Sequence, residues 1–189
     1  MMIAWLLLII LLSQRLIELW IARKNEQWMK REGAIEYGQS HYIWLVVGQT
    51  MFILVWTYEA FQAPQLSPYW PIFMFLYSGV LFLRIWTMRS LGRYWNTKII
   101  VLPGAPLQVK GPYRWMKHPN YVIVYLEMLL LAVIVEAYVA MVAGVILQSA
   151  ALAIRIPTEE AALQNATTNQ AAALYKNKKK FWPNLKKFQ

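Results

Sequence analysis

The polar residues best suited to chemistry in this 189-residue chain fall in two short runs. The first is His118-Pro119-Asn120-Tyr121. The second, Arg155-Ile156-Pro157-Thr158-Glu159-Glu160, begins 34 residues after Tyr121. Each run sits where a basic, polar stretch meets a long apolar one. Ionisable groups at that depth are costly unless they bind something or one another. Together the two runs point to a small-molecule site at a membrane surface. Arg155 has no acid before it locally, so it can pair with Glu159 or Glu160, or clamp an anionic group of a ligand. A plainer reading stands beside this one. His118 can be an interfacial residue at a helix end, and the glutamates can be solvated acids favoured by a helix N-terminus.

Glu127 is harder to read as ordinary. It lies about two turns into an apolar segment, roughly 12 Å by helix rise. A carboxylate there needs a partner or a proton. Arg84, at a matching depth in another apolar segment, is the natural partner. Two readings follow: an Arg84–Glu127 packing pair, or Glu127 on the wall of a polar pocket that receives the head of a lipid. Arg15 and Glu18 form a local i,i+3 pair, and Glu59 falls at the far end of its segment as an interfacial acid.

The elements that must position these groups follow from composition. Hydrophobic residues make up 59% of the chain and occur in blocks about 20 long, enough to cross roughly 30 Å of hydrocarbon. The expected fold is all-α: a single-domain polytopic membrane protein with about five transmembrane helices. The predicted spans are 1–22, 41–61, 69–89, 119–136 and 138–156, with a polar connector over 90–118 and a polar tail from 157. Residues 1–89 then hold three spans, 90–165 the connector, a helical hairpin and both motifs, and 166–189 a basic tail. The first segment lacks the basic start and small-residue cleavage site of a signal peptide. Trp5, Trp20, Trp44, Trp70 and Trp86 lie near span ends, as interfacial anchors do. Only Glu136-Ala137-Tyr138 separates the last two spans, so these should form a tight hairpin. Ala140, Ala143, Gly144, Ala150 and Ala151 would let its backbones approach closely. Pro119 suits the first position of a helix, and Pro157 should interrupt the fifth span and start a new helix.

Charge predicts orientation. Arg23, Lys24, Lys30 and Arg31 lie in the first loop, six further Lys or Arg between Arg89 and Lys117, and six Lys between Lys176 and Lys187. The loops near 62–68 and 136–138 have none. The positive-inside rule then puts the N-terminus outside and the C-terminus in the cytoplasm. The net charge of +10 is accounted for by topology and attraction to anionic lipid, with no need of nucleic acid. With no cysteine and two histidines, His41 and His118, no metal site is expected.

The run Gly111-Pro112-Tyr113-Arg114-Trp115-Met116-Lys117-His118-Pro119-Asn120-Tyr121, a tight apolar hairpin, and Arg155-x-x-x-Glu159-Glu160 together resemble the isoprenylcysteine carboxyl methyltransferase family. The resemblance covers about residues 90–165. It implies an integral-membrane O-methyltransferase using S-adenosylmethionine. Carried over by motif, Gly111, Tyr113, His118, Pro119, Tyr121, Glu159 and Glu160 would line the cofactor pocket, and Arg155 would orient the acceptor. The short chain, with Asn120-Tyr121 and Glu127, is most similar to the bacterial branch. That branch implies a bacterial plasma membrane and a lipophilic acceptor: an alkylpyrone-like polyketide or a prenylcysteine carboxylate. Two other readings remain open on the sequence: a membrane reductase using a nicotinamide cofactor, and a small transporter or scaffold whose buried charges form a path or contact.

Overall fold

The computed structural model describes residues 1–62 and 65–166. Its helices are α1 (Met2–Arg31), α2 (Gln39–Gln62), α3 (Trp70–Leu91), α4 (Pro119–Ile134) and α5 (Tyr138–Ala166). Two three-residue strands, β1 (Ile35–Tyr37) and β2 (Ile99–Val101), pair antiparallel with Glu36 opposite Ile100. The protein is therefore an almost wholly helical polytopic membrane protein. Four of the helices are long and apolar enough to cross a bilayer, and α4 is a shorter apolar helix of 16 residues. The basic tail beyond Ala166, including Lys176 to Lys187, lies outside the described residues.

The core lies where all five helices meet, around Leu7, Leu11, Trp56, Tyr77, Met128 and Leu131. Large side chains such as Phe75, Phe82 and Ile146 face outward, which a membrane helix tolerates because its solvent is apolar. At Gly144 an added Cβ would come within 2.5 Å of Met128 and 2.8 Å of Phe52, so glycine permits the close approach of α5 to both α4 and α2. The hairpin turns as expected. Glu136 adopts φ 56°, and the Ala137 amide bonds the Ala132 carbonyl at 2.8 Å. Glu59, expected to be merely interfacial, does more. Its two carboxylate oxygens accept from the Val139 and Ala140 amides at 3.1 and 2.6 Å, capping α5 where its dipole favours an anion.

Two expectations need correction, and one element lies outside them. The first helix does not stop near residue 22 but continues to Arg31. Its extension leaves the apolar layer and carries the connector: Asn25 Nδ2 donates to the Trp95 carbonyl at 2.7 Å, and Glu26 pairs with Lys98 at 2.8 Å. Pro157 does not interrupt the fifth helix, which runs through it to Ala166. The loss is one backbone hydrogen bond, and the continuation recovers it by burying Ala162 against Ile99 and Val101. The β1–β2 pair was not anticipated at all. It ties the α1–α2 loop to the α3–α4 connector above the polar end of the bundle.

Candidate functional site

At that polar end the two motif runs meet. Pro119 opens α4 at its first turn, which leaves His118 as the residue just outside the helix. Arg155, Glu159 and Glu160 come from successive turns of α5, kept in register by the unbroken helix. His118 Nε2 lies 3.1 Å from Glu160 Oε1, and His118 Nδ1 lies 3.8 Å from Glu159 Oε2. The Tyr121 hydroxyl donates to Glu159 and accepts from Arg155 Nε at 2.7 Å. Arg155 Nη2 donates to the Thr97 carbonyl at 2.7 Å. The His118 and Tyr121 rings stack at 5.3 Å. Lys117 Nζ reaches Glu160 at 3.7 Å. His118, Lys117, Tyr121 and Arg155 are all buried, so these charge-assisted bonds act in a weakly screened setting. Tyr113 lies outside the membrane-spanning helices. Burial lifts its phenol above the ordinary range and the Glu159 charge adds to this, so it stays protonated.

Two cavities flank this cluster. One, of about 170 Å³, opens toward the connector and is lined by Lys98, Tyr113, Lys117, His118 and Glu159 among others. The second, of about 240 Å³, reaches into the helix bundle between α1 and α2 and is lined by Arg15, Tyr42, Gln49 and Gln148 with Leu45, Ile53 and Val124. Trp95, Asn96, Asn120, Tyr121 and Arg155 border both. Both chambers mix polar and apolar side chains, the first with the larger polar share, and they share one wall. Such a layout suits a reaction between two ligands held on either side of it.

The expected residues separate into groups. Tyr113, His118, Tyr121, Arg155 and Glu159 line the first cavity. Glu160 stands behind His118 and Pro119 starts α4, neither lining either of these two cavities. Gly111 packs elsewhere. It has φ 52°, and a Cβ there would collide with Ser90 Oγ and lie 3.1 Å from Trp86 Nε1, so it docks the connector onto the end of α3. Glu127 is 1% exposed and lies in an ion network, not on a cavity wall. It accepts from Arg84 Nη1 at 2.6 Å, from Gln14 at 2.7 Å and from Arg15 at 3.3 Å. Arg84 also bonds Glu18 through two nitrogens, one of them at 2.6 Å. Two arginines and two glutamates from α1, α3 and α4 thus neutralise one another in the middle of the bundle. Asn120 enters the sequence reading only as part of its motif, with no role, and Gln49 and Gln148 do not enter it. Asn120 Oδ1 is buried with no partner among the described residues, yet it borders both cavities.

A family model for isoprenylcysteine carboxyl methyltransferases matches residues 72–165, from α3 through the site-forming half of α5. The chain belongs to the isoprenylcysteine carboxyl methyltransferase family. Membership supports a membrane methyltransferase of the isoprenylcysteine type. The chain is also 45% identical to the uncharacterized protein YpbQ of Bacillus subtilis over 161 residues, covering 85% of this chain and 96% of that one. It is 24% identical to an uncharacterized protein of Haemophilus influenzae over 160 residues, covering 82% and 91%.

Proposed function

We propose that this methyltransferase transfers a methyl group from S-adenosylmethionine to an oxygen of a lipophilic acceptor at the membrane, an alkylpyrone-like enol or a prenylcysteine carboxylate. The observation that carries the reading is the shared wall. Tyr121 and Arg155 border both a cavity under the connector that holds Lys117, His118 and Glu159 and a second cavity that runs into the bundle beside Leu45, Ile53 and Val124.

The donor set of the first cavity fits the cofactor. Glu159 supplies a carboxylate for a cationic group, Lys117 and His118 supply donors for a carboxylate, and Tyr113 and Tyr121 supply aromatic faces. When bound, S-adenosylmethionine supplies an electrophilic methyl carbon: the oxygen–carbon bond forms as the sulfur–carbon bond breaks, and the electron pair stays on sulfur. Arg155 has the complementary task. Its Nη1 makes no hydrogen bond among the described residues, so it can hold an acceptor oxygen in its anionic form. Tyr121 and Thr97 fix the guanidinium so that this donor is already aimed. An acceptor that is already ionised brings no proton to remove, which is why the site needs no general base. We also propose that the site faces the cytoplasm of a bacterial plasma membrane. The basic residues of the first loop and the connector gather at its end of the bundle, while the opposite loops carry none.

The test uses purified protein in proteoliposomes with methyl-labelled S-adenosylmethionine, offered a long-chain alkylated hydroxypyrone or a prenylcysteine. Label in an extracted methyl ether or ester, absent in Arg155→Leu, is the expected result. No labelled product from either acceptor overturns the reading.

A further inference from the structure

The inner cavity ends on a polar relay whose direction is fixed by chemistry. Arg15 Nη2 lies 3.1 Å from Gln49 Oε1. A guanidinium can only donate, so Gln49 must present its carbonyl oxygen to Arg15. Gln49 Nε2 therefore faces away. It donates to Gln148 Oε1 at 3.0 Å, and it lies 3.9 Å from the Met128 sulfur. Gln148 has then used its oxygen, and its Nε2 forms the free end of the relay. That nitrogen makes no hydrogen bond among the described residues, although Gln148 is only 3% exposed and lines the cavity. Each link behind it draws on the Arg15 charge, which strengthens the last donor. The nitrogen is not fully sealed within the protein, so an acceptor on a ligand in this cavity can reach it and complete the relay.

Gln148 and Arg155 lie seven residues apart on α5, two turns and roughly 10 Å of helix rise, on the same face. The cavity thus has free N–H donors at both ends: Arg155 Nη1 at the shared wall and Gln148 Nε2 deeper in the bundle. A plain hydrocarbon chain satisfies neither.

We propose that Gln148, driven through Gln49 by Arg15, is a specificity-determining residue, and that the acceptor carries a second hydrogen-bond-accepting oxygen on its head group. A ketone or lactone carbonyl has the required chemistry. One oxygen is methylated at the Arg155 end, and the other accepts from Gln148. This rests on the methyltransferase reading above and narrows its substrate class.

The experiment compares two acceptors of equal chain length in proteoliposomes. One is an alkylated hydroxypyrone, which has a ring carbonyl. The other is an alkylphenol fluorinated to similar acidity, which lacks one. Each is assayed with wild type, Gln148→Met and Gln148→Leu, and S-adenosylmethionine binding is measured for all three proteins. The first variant keeps the side-chain length without the donor, and the second guards against a fold defect peculiar to it. The expected result is that both variants lose about tenfold more kcat/KM on the hydroxypyrone than on the phenol, mainly in KM, with cofactor binding intact. Equal losses on the two acceptors, or no loss on the hydroxypyrone, would overturn the proposal while leaving the methyltransferase reading in place. Loss of cofactor binding by the wild type would instead remove the reading on which it stands.

Discussion

Replacing Arg84 with Met tests whether the buried ion network is structural. Arg84 is 3% exposed and bonds both Glu18 and Glu127, each at 2.6 Å through its terminal nitrogens. In the native network Arg15 and Arg84 balance Glu18 and Glu127. Arg84→Met leaves two carboxylates facing one arginine whose side chain is 20% exposed. Removing one partner of a buried pair costs about 3–5 kcal/mol, because the remaining charge stays buried and uncompensated. Adding Glu127→Gln restores neutrality, with Arg15 facing Glu18, and the new amide can still accept from Gln14 or Arg15. The double variant should therefore be more stable than Arg84→Met alone, by about 2 kcal/mol. Reversible unfolding in mixed detergent micelles reads the difference. A double variant less stable than the single one would refute the charge-balance argument, because it would mean that Glu127 stabilises the fold independently of Arg84.

Tyr121→Phe removes one hydroxyl that bonds both Glu159 and Arg155. With bonds to charged groups worth about 1.5–3 kcal/mol, cofactor affinity measured by calorimetry should fall about tenfold to a hundredfold. Gly111→Ala forces a Cβ against Ser90 at a φ of 52° and should lower stability by about 2 kcal/mol in thermal unfolding, with part of the loss restored by Ser90→Gly. The hydrogen bond to Glu26 holds the Lys98 ammonium above its ordinary value of 10.5. On the alkaline side its stabilising contribution is lost as pH rises from 10.5 through the higher folded value; on the acid side it is lost as Glu26, held below its ordinary 4.5, takes up a proton, so the stability gap between wild type and Lys98→Met should be flat at neutral pH and narrow at both extremes.

Hydropathy made the helical architecture legible because the bilayer fixes the length of an apolar run. His118, Tyr121, Arg155 and Glu159 stand out in the sequence as polar groups beside apolar runs, Tyr113 only through the family motif, and all five line one cavity. The errors have physical sources. Residues 22–31 are polar enough to end a membrane span but remain good helix formers, so hydropathy marked the membrane boundary and missed the helix boundary. Pro157 forbids one backbone hydrogen bond, yet tertiary contacts of Ala162 and the glutamates hold the helix together past it. The β1–β2 pair joins three-residue strands more than sixty positions apart, too short for any periodic signal. Gln49 and Gln148 are uncharged and lie in separate helices, so only their 3.0 Å contact shows that they act together. Gly111, expected in the cofactor pocket by motif, instead packs against Ser90 and Trp86, contacts that no sequence pattern shows.

S-adenosylmethionine, as proposed, sits in the chamber beneath the connector against Glu159. Calorimetric titration of the lipid-reconstituted protein with that cofactor, set beside Glu159→Gln and a reduced nicotinamide nucleotide, tests it directly. Saturable binding of S-adenosylmethionine, weakened about tenfold in Glu159→Gln, with no saturable binding of the nicotinamide, is the expected result. Binding of the nicotinamide in place of S-adenosylmethionine, or full affinity retained in Glu159→Gln, would contradict it.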